Sequence, residues 1–307
     1  MKALVTGGAG FIGSNLTGQL LAGGHIVTVL DNLSSGYRSN LEAYPQARFI
    51  EGDIRDENAV SRAMEGAEVV FHLAASVGNK RSIDHPADDA EINVIGTLRI
   101  LEAARRIGVH KIIASSSAGI FGEPMRIPLD EDHPVEPGSP YGCTKLCMEK
   151  QCLAYANLYD IETVCLRYFN VYGMRQYHDA YGNVIPIFAF RMLRGQPLTV
   201  FGDGEQTRDF VNVHDIVQAN IKAALSPGVC GVFNIGSGTK ITINELISHL
   251  IRLSGIEPKI NYTHPRPGDV YHSMADISAA RNQIGYEPVV SIIDGLAEYI
   301  VWARGCI

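Results

Sequence analysis

The 307-residue chain has no CxxC pair, no block of five like charges and no apolar run long enough to cross a bilayer. Each absence removes a class of protein. Six cysteines (Cys143, Cys147, Cys152, Cys165, Cys230, Cys306) without paired spacing argue against a zinc site or a disulfide framework. Reduced, mostly structural thiols are expected, with no metal; the first three fall at helical spacing. A membrane span needs about 20 consecutive apolar residues, and none is found. Met1 and Lys2 run directly into ALVTGG, so no signal peptide is expected and the cytoplasm is the expected compartment. A net charge of −7 without a basic block speaks against a nucleic-acid surface, so an anionic ligand must be held locally. Internal repeats, low-complexity tracts and long linkers are also missing.

What is present is an ordinary globular composition, 46% hydrophobic and 19% charged, in a chain long enough for two lobes. Short β-rich runs (Lys2–Thr6, His25–Asp31, Ala47–Asp53, Glu68–Ala74, His110–Ser117, Glu162–Tyr168) alternate with helical patterns. The latter cover Ile12–Ala22, Glu57–Glu65, Asp89–Ile107 and Tyr141–Tyr159, with apolar residues every three or four positions. This alternation predicts an α/β fold: a Rossmann-type doubly wound parallel sheet with helices on both faces. Beyond Tyr168 the rhythm loosens through a polar stretch at Arg175–Asn183, a helix near Ile185–Arg194 and the turn-rich FGDGEQTRD. Gly231–Gly236 returns the chain to the sheet. The expected division is 1–169 with 208–238 for the nucleotide-binding part, and 170–207 with 239–307 for a smaller, discontinuous substrate-binding lobe.

The run VTGGAGFIG follows the first strand and opens the first helix. Gly7, Gly10 and Gly13 fit GxxGxxG, and Gly8, Gly10 and Gly13 fit GxGxxG; either brings backbone amides and a helix N-terminus, with Phe11 and Ile12, against a pyrophosphate. Asp31 ends the second strand eighteen residues after Gly13, where a carboxylate accepts from a ribose diol and repels a 2′-phosphate. That favours NAD over NADP. Asp53 and Ile54, at the expected end of the third strand, are placed to bracket adenine, and Leu73, Ala74 and Ala75 in HLAAS leave room for a cofactor. Tyr141 and Lys145, four apart, share one helix face, so the ammonium can favour the phenolate.

With the glycine loop, Asp31, Ser117, Tyr141 and Lys145 together, the chain resembles the extended short-chain dehydrogenase/reductase family, and within it the nucleotide-sugar 4-epimerases. The runs DNLSSG, GDIRD, NVIGT, RYFNVYG and RPGD carry the resemblance along nearly the whole chain. It implies Ser117, Tyr141 and Lys145 as catalytic residues. It also implies Asn32, Asn93, Ser115 and Tyr168 as further cofactor contacts. Ser115 and Ser116 are read as backbone-bonding residues at a strand end. Related 4,6-dehydratases carry an Asp-Glu pair where this chain has Ala118 and Gly119, uronic acid decarboxylases keep the glutamate, and 3,5-epimerases place a cysteine there. Those chemistries lose their group, leaving reversible oxidation at C4.

For the substrate, the resemblance implies Ser117 and Asn170 on the sugar, Arg208 and Arg266 on the diphosphate and Asp269 on the uridine ribose. Each arginine can instead be read as half of a surface ion pair, with Asp209 or Asp269. By the same resemblance, Asn170 speaks against a uronic acid, and Ser273, at the position that gates the sugar pocket in UDP-hexose 4-epimerases, is small enough to admit an N-acetyl group. A UDP-sugar substrate, UDP-GlcNAc/UDP-GalNAc first, and a homodimer paired through Asp89–Ile107 and Tyr141–Tyr159 are the expectations. Lys80 and Arg81 are read as solvated loop charges. A 4-keto-sugar reductase, a glucuronate or other nucleotide-sugar epimerase, and a non-catalytic NAD-sensing protein are the competing readings.

Overall fold

Strand β1 (Lys2–Thr6) is the sequence's first apolar run and lies at the middle of the protein, buried along four of its five residues. The computed structural model describes residues 1–178, 183–266 and 270–307. In chain order follow α1 (Phe11–Ala22), β2 (Ile26–Asp31), β3 (Arg48–Glu51), α2 (Glu57–Met64), β4 (Val69–His72), α3 (Asn79–Asp84) and α4 (Pro86–Ala90). A π-helical turn, Glu91–Gly96, leads into α5 (Thr97–Ile107), β5 (Lys111–Ser117), α6 (Pro140–Tyr159), β6 (Glu162–Tyr168) and β7 (Asn170–Tyr172). The chain continues through α7 (Val184–Leu193), β8 (Leu198–Phe201), β9 (Thr207–Arg208), β10 (Phe210–Asn212), α8 (Val213–Leu225) and β11 (Gly231–Ile235). It closes with β12 (Ile241–Thr242), α9 (Ile243–Ser254), β13 (Ile260–Thr263), α10 (Ser278–Ile284) and α11 (Ile292–Arg304).

Seven strands form one parallel sheet in the order β11-β6-β5-β4-β1-β2-β3, the doubly wound arrangement expected. Val5 of β1 pairs with Val29 of β2 on one side and Phe71 of β4 on the other. Because helices cover both faces, these strands read as apolar runs rather than alternating ones. One core cluster (Leu16, Leu20, Val29, Ile216, Ala219) fills the α1 and α8 face, and another (Val60, Ile100, Leu101, Met148, Cys152) the opposite face. A separate cluster of Phe188, Phe190, Leu246, Leu250, Leu296 and Tyr299 holds α7, α9 and α11 together. β11 joins the sheet beside β6, with Asn234 opposite Arg167.

Three local expectations need correction. β3 stops at Glu51 rather than Asp53, because the Asp53 carboxylate accepts from the Arg55 amide at 2.8 Å and turns the chain. The helix expected from Asp89 begins at Pro86, a residue suited to a first helical turn, and widens into the π turn before α5. Lys80 and Arg81 lie in helix α3, not a loop, and Lys80 is paired with Asp84 at 2.8 Å.

Thr6, Asp31, His72, Ser117 and Tyr168 end five neighbouring parallel strands, so all five lie along one edge of the sheet. That edge is where ligands bind in open α/β sheets. No helix among the described residues is long and apolar enough to cross a membrane.

Candidate functional site

The glycine loop has no space for side chains. Gly7 has φ +69°, and a Cβ there would come within 2.8 Å of the Ala74 amide nitrogen. A Cβ on Gly13 would meet the Gly7 carbonyl oxygen at 2.1 Å, and one on Gly8 would strike the Val29 side chain at 2.6 Å, so both glycine registers have a steric basis. Gly10 differs, since its nearest contact would be the Gly7 oxygen at 3.2 Å. It precedes α1 and gives that 12-residue helix no side-chain cap. The amides of Phe11, Ile12 and Gly13 therefore have no intrahelical acceptor and face the sheet's ligand edge with the helix dipole behind them. These residues fit a dinucleotide pyrophosphate.

Asp31 is buried, its Oδ2 accepting from the Ala9 amide at 2.9 Å and its Oδ1 from the Leu33 amide at 2.8 Å. Burial pushes its carboxyl above the usual range, against the pull of these amides. The Gly10 amide also bears on this carboxylate, and the lone pairs left over can accept a ribose hydroxyl. Asp53 is more committed than the sequence suggested. Arg55 grips it with Nε at 2.9 Å and Nη2 at 2.8 Å, Asn32 Nδ2 adds a bond at 2.9 Å, and its carboxyl falls to about 2. Ile54 packs beneath Gly96 in the core.

At the end of β4, Thr6 Oγ1 accepts from the amides of Leu73 and Ala74, both at 3.2 Å, and lies 2.8 Å from His72 Nδ1. His72 Nε2 is 2.9 Å from Thr97 Oγ1, whose hydroxyl donates to the Asn93 carbonyl at 2.6 Å. The chain of donors fixes the ring: Nε2 carries the proton, and Nδ1 accepts from Thr6. Burial, followed by the nearby Lys145 charge, lowers His72 to about 3. Asn93, read as a cofactor contact, spends its side chain on protein. Its Oδ1 accepts from the Ser76 amide at 2.8 Å, and its Nδ2 donates to the Ser76 carbonyl at 3.0 Å. Its place at the site is to hold the Leu73–Ser76 segment, with Ala75 within it.

Helix α6 starts at Pro140, capped by Ser139 Oγ at 3.1 Å from the Gly142 amide. Ser82 Oγ, fully buried on α3, accepts from the Tyr141 amide at 3.0 Å and fixes the first turn. Tyr141 and Lys145 are both buried. Lys145 Nζ donates to the Ser115 carbonyl at 2.7 Å and lies over the Tyr141 ring, 6.0 Å from its centre. Burial lowers Lys145 to about 8 and raises Tyr141 to about 12; Ser117's hydroxyl pulls the phenol down and the charge of Asp89 adds to the rise. Burial thus opposes the phenolate that the Lys145 charge favours.

Ser117 Oγ accepts from the Gly119 amide at 3.1 Å, and a Cβ on Gly119 would sit 3.3 Å from that oxygen and 3.7 Å from the Tyr141 ring. Position 119 is thus where a carboxylate would reach the same reacting centre. Ser116 does not bond backbone with its side chain, as was read from its place at a strand end. Its hydroxyl donates at 2.9 Å to Glu149, which is buried in a two-point ion pair with Arg167.

Next to this centre lies a cavity of about 560 Å³, walled by Ala118, Gly119, Asn170, Arg208, Arg266 and Ser273 among others. Its charged lining among the described residues is Arg191, Arg208 and Arg266, with no carboxylate. Arg208 Nη1 donates to the carbonyls of Thr207 and Tyr271, and the Asp209 carboxylate instead takes the amides of Ser237, Gly238 and Ala275. The guanidinium of Arg266 stacks on Phe201, 3.8 Å from its centre. Tyr168 is fixed by Asn220, 3.0 Å from its hydroxyl, and Asn170 Nδ2 donates to the Asp209 carbonyl at 3.2 Å. Asp269 lies outside the described residues. Sequence reasoning missed Arg191, Phe201, Asn79 and Gln206; an arginine in a last helical turn and an aromatic before a turn are too common to point to a site.

The profile of the NAD dependent epimerase/dehydratase family matches residues 3–236. A UDP-glucose 4-epimerase of Mycolicibacterium smegmatis is 40% identical over 309 residues, spanning 99% of each chain. The crystal structure of a Thermotoga maritima UDP-glucose 4-epimerase with UDP-glucose superposes with a TM-score of 0.96 at 42% identity, covering 100% of this chain and 99% of that one. A UDP-N-acetylglucosamine 4-epimerase of Methanobrevibacter ruminantium, solved with UDP-N-acetylmuramic acid, gives 0.95 at 34% identity, covering 100% and 99%.

Proposed function

Because the chain belongs to the NAD dependent epimerase/dehydratase family, we propose that it is a 4-epimerase of a UDP-hexose, with UDP-GlcNAc/UDP-GalNAc the preferred pair and UDP-Glc/UDP-Gal also accepted. One observation carries the reading. A single cavity runs from Ala118 and Gly119, beside Ser117 and Tyr141, to Arg208 and Arg266, and no described carboxylate lines it. A pocket whose described charged lining is all arginine, in a chain of net charge −7, suits a nucleoside diphosphate, and a centre with glycine at 119 lacks the acid–base pair that would eliminate water or carry a keto sugar onward.

In this reading residues 1–169 with 208–238 bind NAD, and 170–207 with 239–307 bind the nucleotide sugar. The amides at Phe11–Gly13 hold the pyrophosphate and Asp31 a ribose diol; Leu73–Ala75, Ser115 and Tyr168 border the nicotinamide end. NAD, when bound there, would supply a reversible hydride acceptor for C4. Ser117 holds the sugar O4 and passes its proton to Tyr141. Tyr141 returns that proton once the sugar has turned. Lys145 keeps its ammonium at the ribose side, where its charge and that of the cofactor oppose the burial that raises the phenol. Arg208 and Arg266 anchor the diphosphate so that the sugar alone rotates. Ser273, with its small side chain on the cavity wall, leaves room for an N-acetyl group.

The exposed Ile95 just before α5, Ile107 at its end, and Leu158 and Tyr159 on α6 fit a homodimer paired through these helices. Six unpaired cysteines fit a reducing compartment, the cytoplasm. The test is direct: purified protein incubated separately with UDP-GlcNAc, UDP-Glc and UDP-GlcA, with C4 configuration followed by proton NMR. Inversion of the first two supports the reading. Inversion of none, with NAD added, overturns it.

A further inference from the structure

The mechanism above leaves one ionisable group unused behind the Tyr141–Lys145 pair. Asp89, on α4, is fully buried. Its Oδ2 accepts from Thr144 Oγ1 at 2.5 Å and from Asn93 Nδ2 at 3.2 Å. Thr144 stands on α6 between Tyr141 and Lys145, and its Oγ1 also lies 3.1 Å from the Tyr141 carbonyl and from Asn93 Nδ2. The π turn at Glu91–Gly96 follows at once and places Asp89 and Asn93 against the same threonine. π turns recur at functional sites.

The second oxygen separates this carboxylate from a simple clamp. Oδ2 makes both bonds, whereas Oδ1 is buried with no hydrogen-bond partner among the described residues. Leaving a carboxylate oxygen bare in the interior costs free energy that a neutral clamp would avoid. We propose that Asp89 is a positioning residue of the phenol–ammonium pair, its buried carboxylate locked by Thr144 against the turn of α6 that carries both side chains.

Electrostatics agree with this geometry. The Asp89 charge favours the protonated form of Lys145 and disfavours the phenolate of Tyr141. Other groups facing the pair are few. The thiols of Cys152 and Cys165 act on Lys145, Lys145 in turn acts on His72, and Ser117 bonds the phenol. On the acid's own element the exposed Asp88, and Glu91 just beyond it, act on Arg55.

The proposal rests on the epimerase reading for its purpose but is tested without turnover. Protein loaded with NAD and carrying ¹³C at tyrosine Cζ is titrated by NMR, the Tyr141 signal being the one lost in Tyr141→Phe. Asp89→Asn should lower the Tyr141 midpoint by at least about half a pH unit, roughly threefold more phenolate at a fixed pH below it. Thr144→Val, which removes the hydroxyl that holds Oδ2 against α6, should also move the midpoint, by less. A folded, NAD-bound Asp89→Asn protein with the parent midpoint overturns the proposal. Should that variant fail to fold, an unmoved midpoint in Thr144→Val overturns it equally. If both midpoints move and no UDP-hexose is inverted, this proposal stands and the epimerase reading falls. Unmoved midpoints with C4 inversion intact give the reverse.

Discussion

Lys145 Nζ and the Ser115 carbonyl oxygen are 2.7 Å apart, so the ammonium is held at the β5 edge, 6.0 Å from the Tyr141 ring centre. With burial raising Tyr141 to about 12, the phenol stays protonated at neutral pH unless another positive charge arrives. The cofactor is that charge. NAD-loaded protein should therefore show a lower Tyr141 midpoint than protein stripped of NAD, measured by the same tyrosine NMR. Tyr141→Phe should lose about 10²–10⁴-fold in turnover while retaining NAD, read from absorbance of the denatured protein. Near-parent turnover would remove Tyr141 from its role.

Lys145 makes a prediction about stability with a definite sign. Burial lowers it from 10.5 to about 8, so between these values the unfolded chain binds a proton that the folded one has released. Stability from this group rises with pH through that window and is least below it. In NAD-free protein, the melting temperature of the parent relative to Lys145→Met should increase from pH 8 toward pH 10. A difference that stays constant or shrinks would mean that the lysine keeps its proton in the folded state.

The diphosphate assignment predicts a binding effect. Arg208→Ala and Arg266→Ala should each raise KM for a UDP-hexose about 10- to 100-fold, the loss of charge-assisted hydrogen bonds worth roughly 1.5–3 kcal/mol. Steady-state kinetics at fixed ionic strength check this. A KM unchanged in both variants would put the diphosphate elsewhere.

Ser273→Tyr tests the gate. A ring in place of the hydroxymethyl group should fill the sugar end of the cavity. The ratio of kcat/KM for UDP-GlcNAc over UDP-Glc should fall at least about tenfold, chiefly through the N-acetylated sugar. Equal losses on both substrates would show that Ser273 does not select between them.

The sheet was readable because buried parallel strands are written as unbroken apolar runs, and the spacing of Gly7, Gly10 and Gly13 forces a turn that few other residues permit. The ends of elements were less readable. β3 closes early because Asp53 spends its carboxylate on Arg55, a local competition that periodicity does not register. The helix before α5 is longer than its apolar pattern, since α4 begins on Pro86 and Asp88 is turned to water. At the site, the spacing of four put Tyr141 and Lys145 on one helix face and the family resemblance added Ser117, but neither gave the direction of the ammonium, which depends on where β5 presents the Ser115 carbonyl. Asn93 shows the same limit. Its run, NVIGT, pointed to the cofactor, whereas its amide is spent on Ser76. Asp89 gave no signal at all, because a carboxylate next to another on a helix looks like a solvated face until packing buries it.

The account's central claim is oxidation and return at one carbon without release of the hydride. UDP-GlcNAc carrying deuterium at C4, incubated with purified protein in ordinary water, should yield the C4-inverted sugar with deuterium still at C4 and no net change in bound nicotinamide. Inversion with the label lost to solvent, stoichiometric consumption of reduced nicotinamide, or no inversion at all would contradict it.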